Sequence, residues 1–355
     1  MIKVTAIVSL YNSLEYVDEC LRDLIEQSLY KKGELEILVI DSNSPQEEGA
    51  RVEWYQWQYP NIAYHRTARR ETLYQAWNRG VQMARGEFIT NANSDDRHHP
   101  QGLEVMYDAL VSNPAIDLVY GDVYESSVAN ERFEMNPKTS RYQYPSYFAP
   151  LSLLYYQFGC QPMWRKRVHD SIGGFSAQLK AAGDWDFCIR FSLAGLRALH
   201  IPEVLGSFLN RPTSISTSDS TSVREQGEVK NYYLNQENIL ALYRVEGFSI
   251  DTPQDRARVL TDFAMRASTM ALPWTPGRVY IEPRATVMSC LAAFEMGGDD
   301  PRFAWNLGVS LHQAAHKQEA APFLEKGVLV QDPKVSQALS ALHRGEPVSL
   351  PFVAV

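Results

Sequence analysis

Apolar positions in the first half of the chain switch between two periods. Val4-Thr5-Ala6-Ile7-Val8-Ser9-Leu10 is a short, nearly continuous apolar run, the pattern of a strand buried on both faces. From Leu14 to Leu29 the spacing is helical, and Glu36-Ile37-Leu38-Val39-Ile40 is a second buried strand. Asn61 to His65 fits a third strand, Tyr74 to Ala84 a helix stopped by Arg85-Gly86, and Glu87-Phe88-Ile89-Thr90 a fourth strand. Pro100 at a first helical position predicts another helix and Leu118-Val119-Tyr120 another strand. This alternation predicts an α/β domain with a mostly parallel sheet covered on both faces, in which ligands bind beyond the carboxyl ends of the strands.

Those ends are polar. Tyr11-Asn12 follows the first strand, Asp41-Ser42-Asn43-Ser44 the second and Asn93-Ser94-Asp95-Asp96 the fourth. No GxGxxG or GxxxxGK[ST] follows any of them, which argues against a classical dinucleotide fold and a P-loop NTPase. Asn130 to Pro150 is rich in Tyr, Pro and Asn without a period and reads as a long loop; Gln161 to Arg165 then fits a strand. A Gly173-Gly174 turn comes next, and Gly183-Asp184-Trp185-Asp186 opens a helix. The Ser/Thr-rich tract Arg211 to Thr221 ends the first domain, so the expected domains are 1–220 and an all-helical 221–355. Within the latter, Ala304-Trp305-Asn306-Leu307-Gly308, Leu311, Glu319-Ala320, Leu324-Glu325-Lys326 and Asp332-Pro333 space out like a tetratricopeptide-type hairpin, with a weaker partner in Arg284 to Asp300. A plain helical hairpin fits the same spacing.

Composition narrows the function classes. Of 355 residues 45% are hydrophobic and 21% charged, enough apolar content for a packed core, and the net charge of -8 argues against a globally basic nucleic-acid or anionic-membrane binder. No apolar run approaches the roughly 20 residues of a membrane span, and Met1 to Leu10 reads as a strand, not a signal core. Cys20, Cys160, Cys188 and Cys290 stand far apart, suggesting neither a disulfide framework nor a zinc site and pointing to a reducing, cytoplasmic setting, with peripheral contact at the inner face of a membrane allowed.

Adjacent carboxylates at a strand end, Asp95-Asp96, can hold a hard divalent cation through oxygen, although the same pair also suits a solvated turn. Asp184 read locally is a helix N-cap, and Asp186 with Arg190 has the spacing of a helix ion pair. His98-His99 read as exposed loop histidines, His312 and His316 as a surface face, and Trp54, Tyr55, Trp57 and Tyr59 as packing. Arg66, Arg69 and Arg70 suit either a diphosphate or a solvated stretch.

Val8-Ser9-Leu10-Tyr11-Asn12, Asp41-x-Ser, Tyr74-x-Ala-x-Asn78-x-Gly80, Ala84-Arg85-Gly86-Glu87-Phe88-Ile89, Asn93-Ser94-Asp95-Asp96 and Gly183-Asp184-Trp185-Asp186-Phe187 stand in the order of family 2 glycosyltransferases. The chain resembles that family, of GT-A fold, over roughly residues 1 to 220. The resemblance implies a metal-dependent, inverting transfer of a sugar from a nucleotide-diphosphate donor, a UDP-sugar by default, to a hydroxyl of a glycan, a lipid-linked saccharide or a protein. It places Tyr11, Asn12 and Asp41 at the nucleotide, Asp95 at the ribose, Asp96 on Mn²⁺ or Mg²⁺, and makes Asp184 the general base. Gly183 stands where the family usually has Glu, which puts an acceptor contact in doubt. Arg211 stands where relatives often have a His before Pro-x-Ser-x-Ser, and its fork suits phosphate oxygens. Trp164 and Trp185 are candidates for stacking on the acceptor, and Asp186 is structural or an acceptor contact. The rival reading is an inactive glycosyltransferase-like domain in a tetratricopeptide-type interaction protein, with a protein partner on the C-terminal helices. A nucleotidyltransferase is disfavoured, since no Gly-rich loop bearing Arg and Lys follows the first strand.

Overall fold

The computed structural model describes residues 1–211 and 220–355. They group into two compact units, Met1–Tyr147 with Tyr155–Asn231, and Phe148–Leu154 with Tyr232–Val355. The first unit thus runs on to Asn231, past the boundary expected at residue 220. The Pro212-Thr213-Ser214-Ile215-Ser216 stretch of the expected loop lies outside the described residues.

In the first unit the chain runs β1 (Val4–Leu10), α1 (Val17–Glu26), α2 (Ser28–Lys31), β2 (Leu35–Asp41), α3 (Glu48–Gln58), β3 (Ile62–Arg66), α4 (Leu73–Met83) and β4 (Phe88–Asn91). It continues through β5 (Arg97–His98), α5 (Gly102–Ser112), β6 (Leu118–Ser126), β7 (Arg141–Tyr142), β8 (Met163–Arg165), α6 (Val168–Ile172), α7 (Gly183–Leu193), β9 (Ala198–Leu209) and α8 (Ser220–Tyr233). The sheet order is β3-β2-β1-β4-β8-β6-β9-β5, with β7 on β6. Parallel pairing joins β3, β2, β1 and β4, while β8 inserts antiparallel between β4 and β6. This is the mixed, mostly parallel sheet of a GT-A fold. Strand β1 is paired on both sides, and its Val4, Ala6, Val8 and Leu10 join Ile37 and Val39 of β2 and Leu21 and Leu24 of α1 in the main core.

The Ala84-Arg85-Gly86 stop closes α4 in a definable way. Glu36 is buried and accepts from Thr5 Oγ1 (2.7 Å) and from the Arg85 backbone N–H (2.9 Å), while Gly86 N–H donates back to Thr5 Oγ1 (2.9 Å). Three expectations are corrected. The helix predicted to start at Pro100 begins at Gly102, because the Pro100 carbonyl is taken by Ser28 N–H. Of the aromatic residues of α3, Tyr55 is buried, but Trp54 and Trp57 are 52% and 84% exposed, since only one face of that helix meets the core. His98 is buried, not exposed, with Nδ1 2.8 Å from Asp23, and the His99 ring meets Phe133 edge-on. The Tyr-rich stretch is likewise anchored, because buried Asp122 accepts from the Tyr144 N–H and pairs with Arg141 and His200.

The second unit contains α9 (Gln236–Val245), α10 (Pro253–Ser268), α11 (Pro283–Met296), α12 (Pro301–Gln313), α13 (Lys317–Leu324) and α14 (Pro333–His343). Proline begins four of these, where its missing N–H costs nothing. Helices α12 and α13 form a hairpin in which Gly308 lets Leu324 approach, and Trp305, Val309, Ala320, Leu324 and Leu339 make its core. Asn306 clamps the backbone of Val353 from both sides (2.7 and 2.8 Å). Among the described residues no helix is long and apolar enough to cross a membrane.

A Cβ at Gly86 would lie 2.7 Å from Thr5 N and Val4 C, backbone atoms of a strand paired on both sides. Gly86→Ala is therefore expected to destabilise the first unit by about 1–3 kcal/mol, the cost of overpacking against atoms that cannot move. Urea unfolding followed by tryptophan fluorescence measures this; an unchanged midpoint contradicts it.

Candidate active site

Four strand ends deliver polar side chains to one edge of the sheet. After β1, Asn12 takes a left-handed conformation (φ 53°) that Asn tolerates, and its N–H donates to Ser44 Oγ (3.0 Å) in the turn after β2. Ser13 N–H (2.7 Å) and Ser44 Oγ (2.8 Å) both donate to Glu48 Oε1, so one buried carboxylate fastens the two loops together. Tyr11 is half-buried beneath the Arg70 guanidinium, 4.0 Å from its ring centre.

Asp41 was expected to face a nucleotide, and here the structure differs. Its carboxylate has no exposed surface: Oδ1 accepts from Ser44 N–H (2.7 Å), and Oδ2 from Tyr64 Oη (2.7 Å) and Arg66 Nη1 (2.5 Å). Asp41 shapes the loop, and the surface offered to a ligand there is Arg66. Within the arginine cluster Arg66 caps Asp41, while Arg70, which covers Tyr11, lines with Arg69, Gln75, Arg79 and Gln82 an open cavity of about 550 Å³.

Beyond β4, Asp96 is buried. Its Oδ2 accepts from Asn93 Nδ2 (3.0 Å) and Oδ1 from the N–H of Leu209 at the end of β9 (3.1 Å). Burial, reinforced by the adjoining Asp95 carboxylate, pushes Asp96 up to about 7. Asp95 is more open and pairs with Arg211 (2.9 Å), whose other nitrogen donates to Tyr16 Oη (2.9 Å). The set is oxygen-only, carboxylates and nearby amides, which fits a hard divalent cation that keeps waters and takes phosphate oxygens. Among the described residues no group of three or more His, Cys, Asp and Glu is placed to hold a metal ion.

On the other side of the cleft, α4 begins with a capping box between Thr72 and Gln75 and presents Tyr74 and Asn78 one turn apart. Asn78 accepts from the Phe175 N–H and donates to its carbonyl (2.8 Å each), and Tyr74 Oη donates to Asp184 Oδ1 (3.2 Å). Asp184 is the second residue of α7 and is not its N-cap, which is Ala182; its Oδ1 also accepts from Trp185 N–H (2.8 Å). Burial lifts the Asp184 carboxyl to about 6 against the opposing effect of those hydrogen bonds. Burial, with Asp96 and Asp184 both contributing, pushes the Cys160 thiol up to about 12.

Two acceptor candidates fall differently from expectation. Trp164 is 2% exposed; its Nε1 donates to His169 Nε2 (2.9 Å) and its ring packs on Phe175 and Phe187, so it has no face for a sugar. Trp185 is mostly buried, with Lys230 Nζ 5.9 Å from its ring centre. Asp186 forms the ion pair with Arg190 (2.7 Å) that the helical spacing suggested.

The family model of Glycosyl transferase family 2 matches residues 5–183, more than half of the chain, so the chain belongs to that family and is a glycosyltransferase. It is 25% identical to glycosyltransferase GlyG of Streptococcus pneumoniae over 130 residues, 37% of this chain but only 42% of GlyG. It is 25% identical to glycosyltransferase AglE of Haloferax volcanii over 217 residues, 59% of this chain and 67% of AglE. It is also similar in fold to S. aureus TarS 1-349 in complex with UDP-GlcNAc, with a TM-score of 0.58 and 18% identity over 97% of this chain and 93% of that one.

Sequence reasoning passed over Tyr74, Glu48 and the Arg66–Asp41 pair as site residues. Tyr74 carried a signal, since Tyr74, Asn78 and Gly80 were one motif; the others depend on long-range partners that no local spacing reveals.

A carboxyl raised to about 6 binds a proton in the folded chain that the unfolded chain releases near its ordinary value of 3.8. Its ionisation therefore costs stability as pH rises through about 4 to 6, and the cost is full above that window. Asp184→Asn, which keeps an acceptor for Tyr74 and Trp185, should be about 1–3 kcal/mol more stable than wild type at pH 7.5, with the difference gone below about pH 4. Thermal midpoints across pH test this, and a pH-independent difference contradicts it.

Proposed function

We propose that the chain transfers a sugar from a nucleotide-diphosphate donor to a hydroxyl acceptor with inversion, and that Asp184 is the general base. The observation that carries this reading is the Asp184 carboxyl itself: fixed at the start of α7 by Tyr74 and Trp185, and lifted by burial to about 6. A base is most effective when its value lies near the working pH, so that it is ionised yet still basic. Both hydrogen bonds fall on Oδ1, which leaves Oδ2 as the atom to accept the proton. As the acceptor O–H proton passes to Asp184, the acceptor oxygen bonds to the anomeric carbon from the side opposite the leaving group. The carbon–oxygen bond to the diphosphate breaks with its electron pair, and direct displacement inverts the centre.

On the donor side Tyr11, Asn12 and Asp95 are candidates for the nucleoside, with Asp41 holding the loop from below. Arg211 suits the diphosphate oxygens through its planar fork. Asp96, with Asp95 beside it, would hold Mn²⁺ or Mg²⁺, which when bound neutralises charge on the departing diphosphate. A UDP-sugar is the favoured donor, and UDP-GlcNAc is the first probe because the similarly folded TarS has been solved with it. The acceptor class is a glycan, a lipid-linked saccharide or a protein; the mycobacterial relatives, 24% identical over 209 residues, are named for PGL/p-HBAD biosynthesis. Trp185 and Asp186 stay on the acceptor side through their place in α7. For α12–α13 the tetratricopeptide-like reading, with a protein partner, is kept as part of the proposal, as are a glycosyltransferase domain followed by a helical one and a cytoplasmic location.

Two outcomes are expected. Asp184→Asn should keep donor affinity while lowering turnover by about two or more orders of magnitude, the usual worth of a positioned proton acceptor; near-normal transfer by this variant sends the search for a base elsewhere. Asp96→Ala should abolish the Mn²⁺ dependence of the thermal stabilisation that UDP-sugars confer on the wild type, since a ligand raises stability only through the state it binds. Stabilisation that keeps its Mn²⁺ dependence removes Asp96 from the metal site.

A further inference from the structure

Glu225 stands on α8, in the part of the chain the sequence assigned to a separate helical domain. It is 3% exposed and makes no ion pair among the described residues. Its carboxylate instead collects consecutive backbone amides: Lys180 N–H reaches Oε1 (3.1 Å) and Oε2 (2.9 Å), and Ala181 N–H (2.8 Å) and Ala182 N–H (3.3 Å) reach Oε2. A buried carboxylate without a counter-cation is unfavourable unless its oxygens are saturated with donors, and three successive amides form such an anion cradle.

The place of this cradle gives it meaning. Ala182 is the residue before α7 and has no side-chain cap of its own; of the three amides that Glu225 takes, Ala182 N–H belongs to the open N-terminus of α7, and those of Lys180 and Ala181 to the loop that leads into it. A negative group at that end also meets the positive pole of the helix. Ser222, Glu225 and Val229 are the buried residues of α8, spaced along one helical face, so Glu225 sits in the middle of the contact strip. At Gly183 itself a Cβ would fall 2.6 Å from the Tyr74 ring, so no side chain fits there while Tyr74 holds Asp184. A carboxylate reaches the same end of α7 all the same, delivered from another helix.

We infer that Glu225 is a positioning residue for sugar transfer: it fixes the 180–182 backbone and so the first turn of α7 that presents Asp184. The inference rests on Asp184 being the base. It assigns α8 to the catalytic machinery, where it acts through backbone geometry and touches no substrate.

The test uses the full chain with Glu225→Ala, Glu225→Gln and Asp184→Asn, two readouts and one small probe. Hydrogen exchange is followed on the peptide that contains residues 180–182, and UDP release from UDP-GlcNAc with Mn²⁺ gives turnover and donor KM. Glu225→Ala is expected to exchange those amides about tenfold faster or more, and to lower kcat about tenfold or more with donor KM within about threefold, as for a catalytic group slightly misplaced. Glu225→Gln, which keeps one acceptor oxygen, should fall between. Added formate, a carboxylate small enough for the vacated space, should restore part of both losses in Glu225→Ala where an equal concentration of chloride does not. The inference is overturned if Glu225→Ala keeps its protection or its kcat, or if kcat and donor affinity fall together with no response to formate. Asp184→Asn keeps the cradle and should exchange no faster than wild type. Normal turnover in that variant would defeat the base assignment, while the exchange data would still judge the hold of Glu225 by itself.

Discussion

The hydrogen bond from Tyr74 to Asp184 joins the sheet's first layer to the helix that carries the candidate base, and much of the site's geometry follows from it. It forms because α4 lies unusually close to β1: a Cβ on Gly80 would meet the Ile7 side chain at 2.5 Å. With α4 at that depth, Tyr74 and Asn78 project from one face, one to the carboxylate of α7 and the other to both backbone groups of Phe175. The rings of Tyr74, Trp77, Phe175 and Phe187 then close the space between α4 and α7, with Phe175 and Phe187 stacked at 4.4 Å. Gly174 is held to glycine by the same clamp, since a Cβ there would strike Asn78 Oδ1 at 2.5 Å. A motif that looks like scattered small and polar residues in sequence is one packing solution in space.

The sheet was legible because its signal is local. Buried parallel strands such as β1 and β2 write themselves as continuous apolar runs, and their polar ends mark an edge of the sheet in the sequence alone. Asp95 and Asp96 stood out as candidates for that reason, and Asp184 through the order of the family motifs. The misreadings share another cause. Trp164 sits in a three-residue strand whose burial is set by Phe175 and Phe187 from later in the chain, so a tryptophan near the cleft looked like a platform. Asp41 looked like a ligand because strand-end carboxylates often are, while the residues that enclose it, Tyr64 and Arg66, come from the neighbouring strand. Glu225 was invisible: nothing in Ser220–Tyr233 announces that its one buried carboxylate is satisfied by amides of another loop. Side-chain partners across the sheet or between helices have no periodicity to read.

Four carboxylates of the first unit, three buried and Asp184 half-buried, differ in how completely they are satisfied. Taking a carboxylate out of water costs several kcal/mol, and each hydrogen bond to a charged group returns about 1.5–3 kcal/mol. Asp41 receives three donors, one of them a guanidinium, and Glu225 receives contacts from three amides; both hold loops in place. Asp96 and Asp184 each receive two, all neutral, and burial lifts both well above the ordinary carboxylate range. An incomplete shell alone is not chemistry: both donors to buried Glu48 fall on Oε1, its Oε2 has no partner, and it fastens two loops. Asp96 and Asp184 combine incomplete shells with a lift out of the ordinary carboxylate range. On the proposed reading one of them meets a cation and the other takes a proton, the two needs of a reaction that separates a diphosphate from a sugar while deprotonating a hydroxyl.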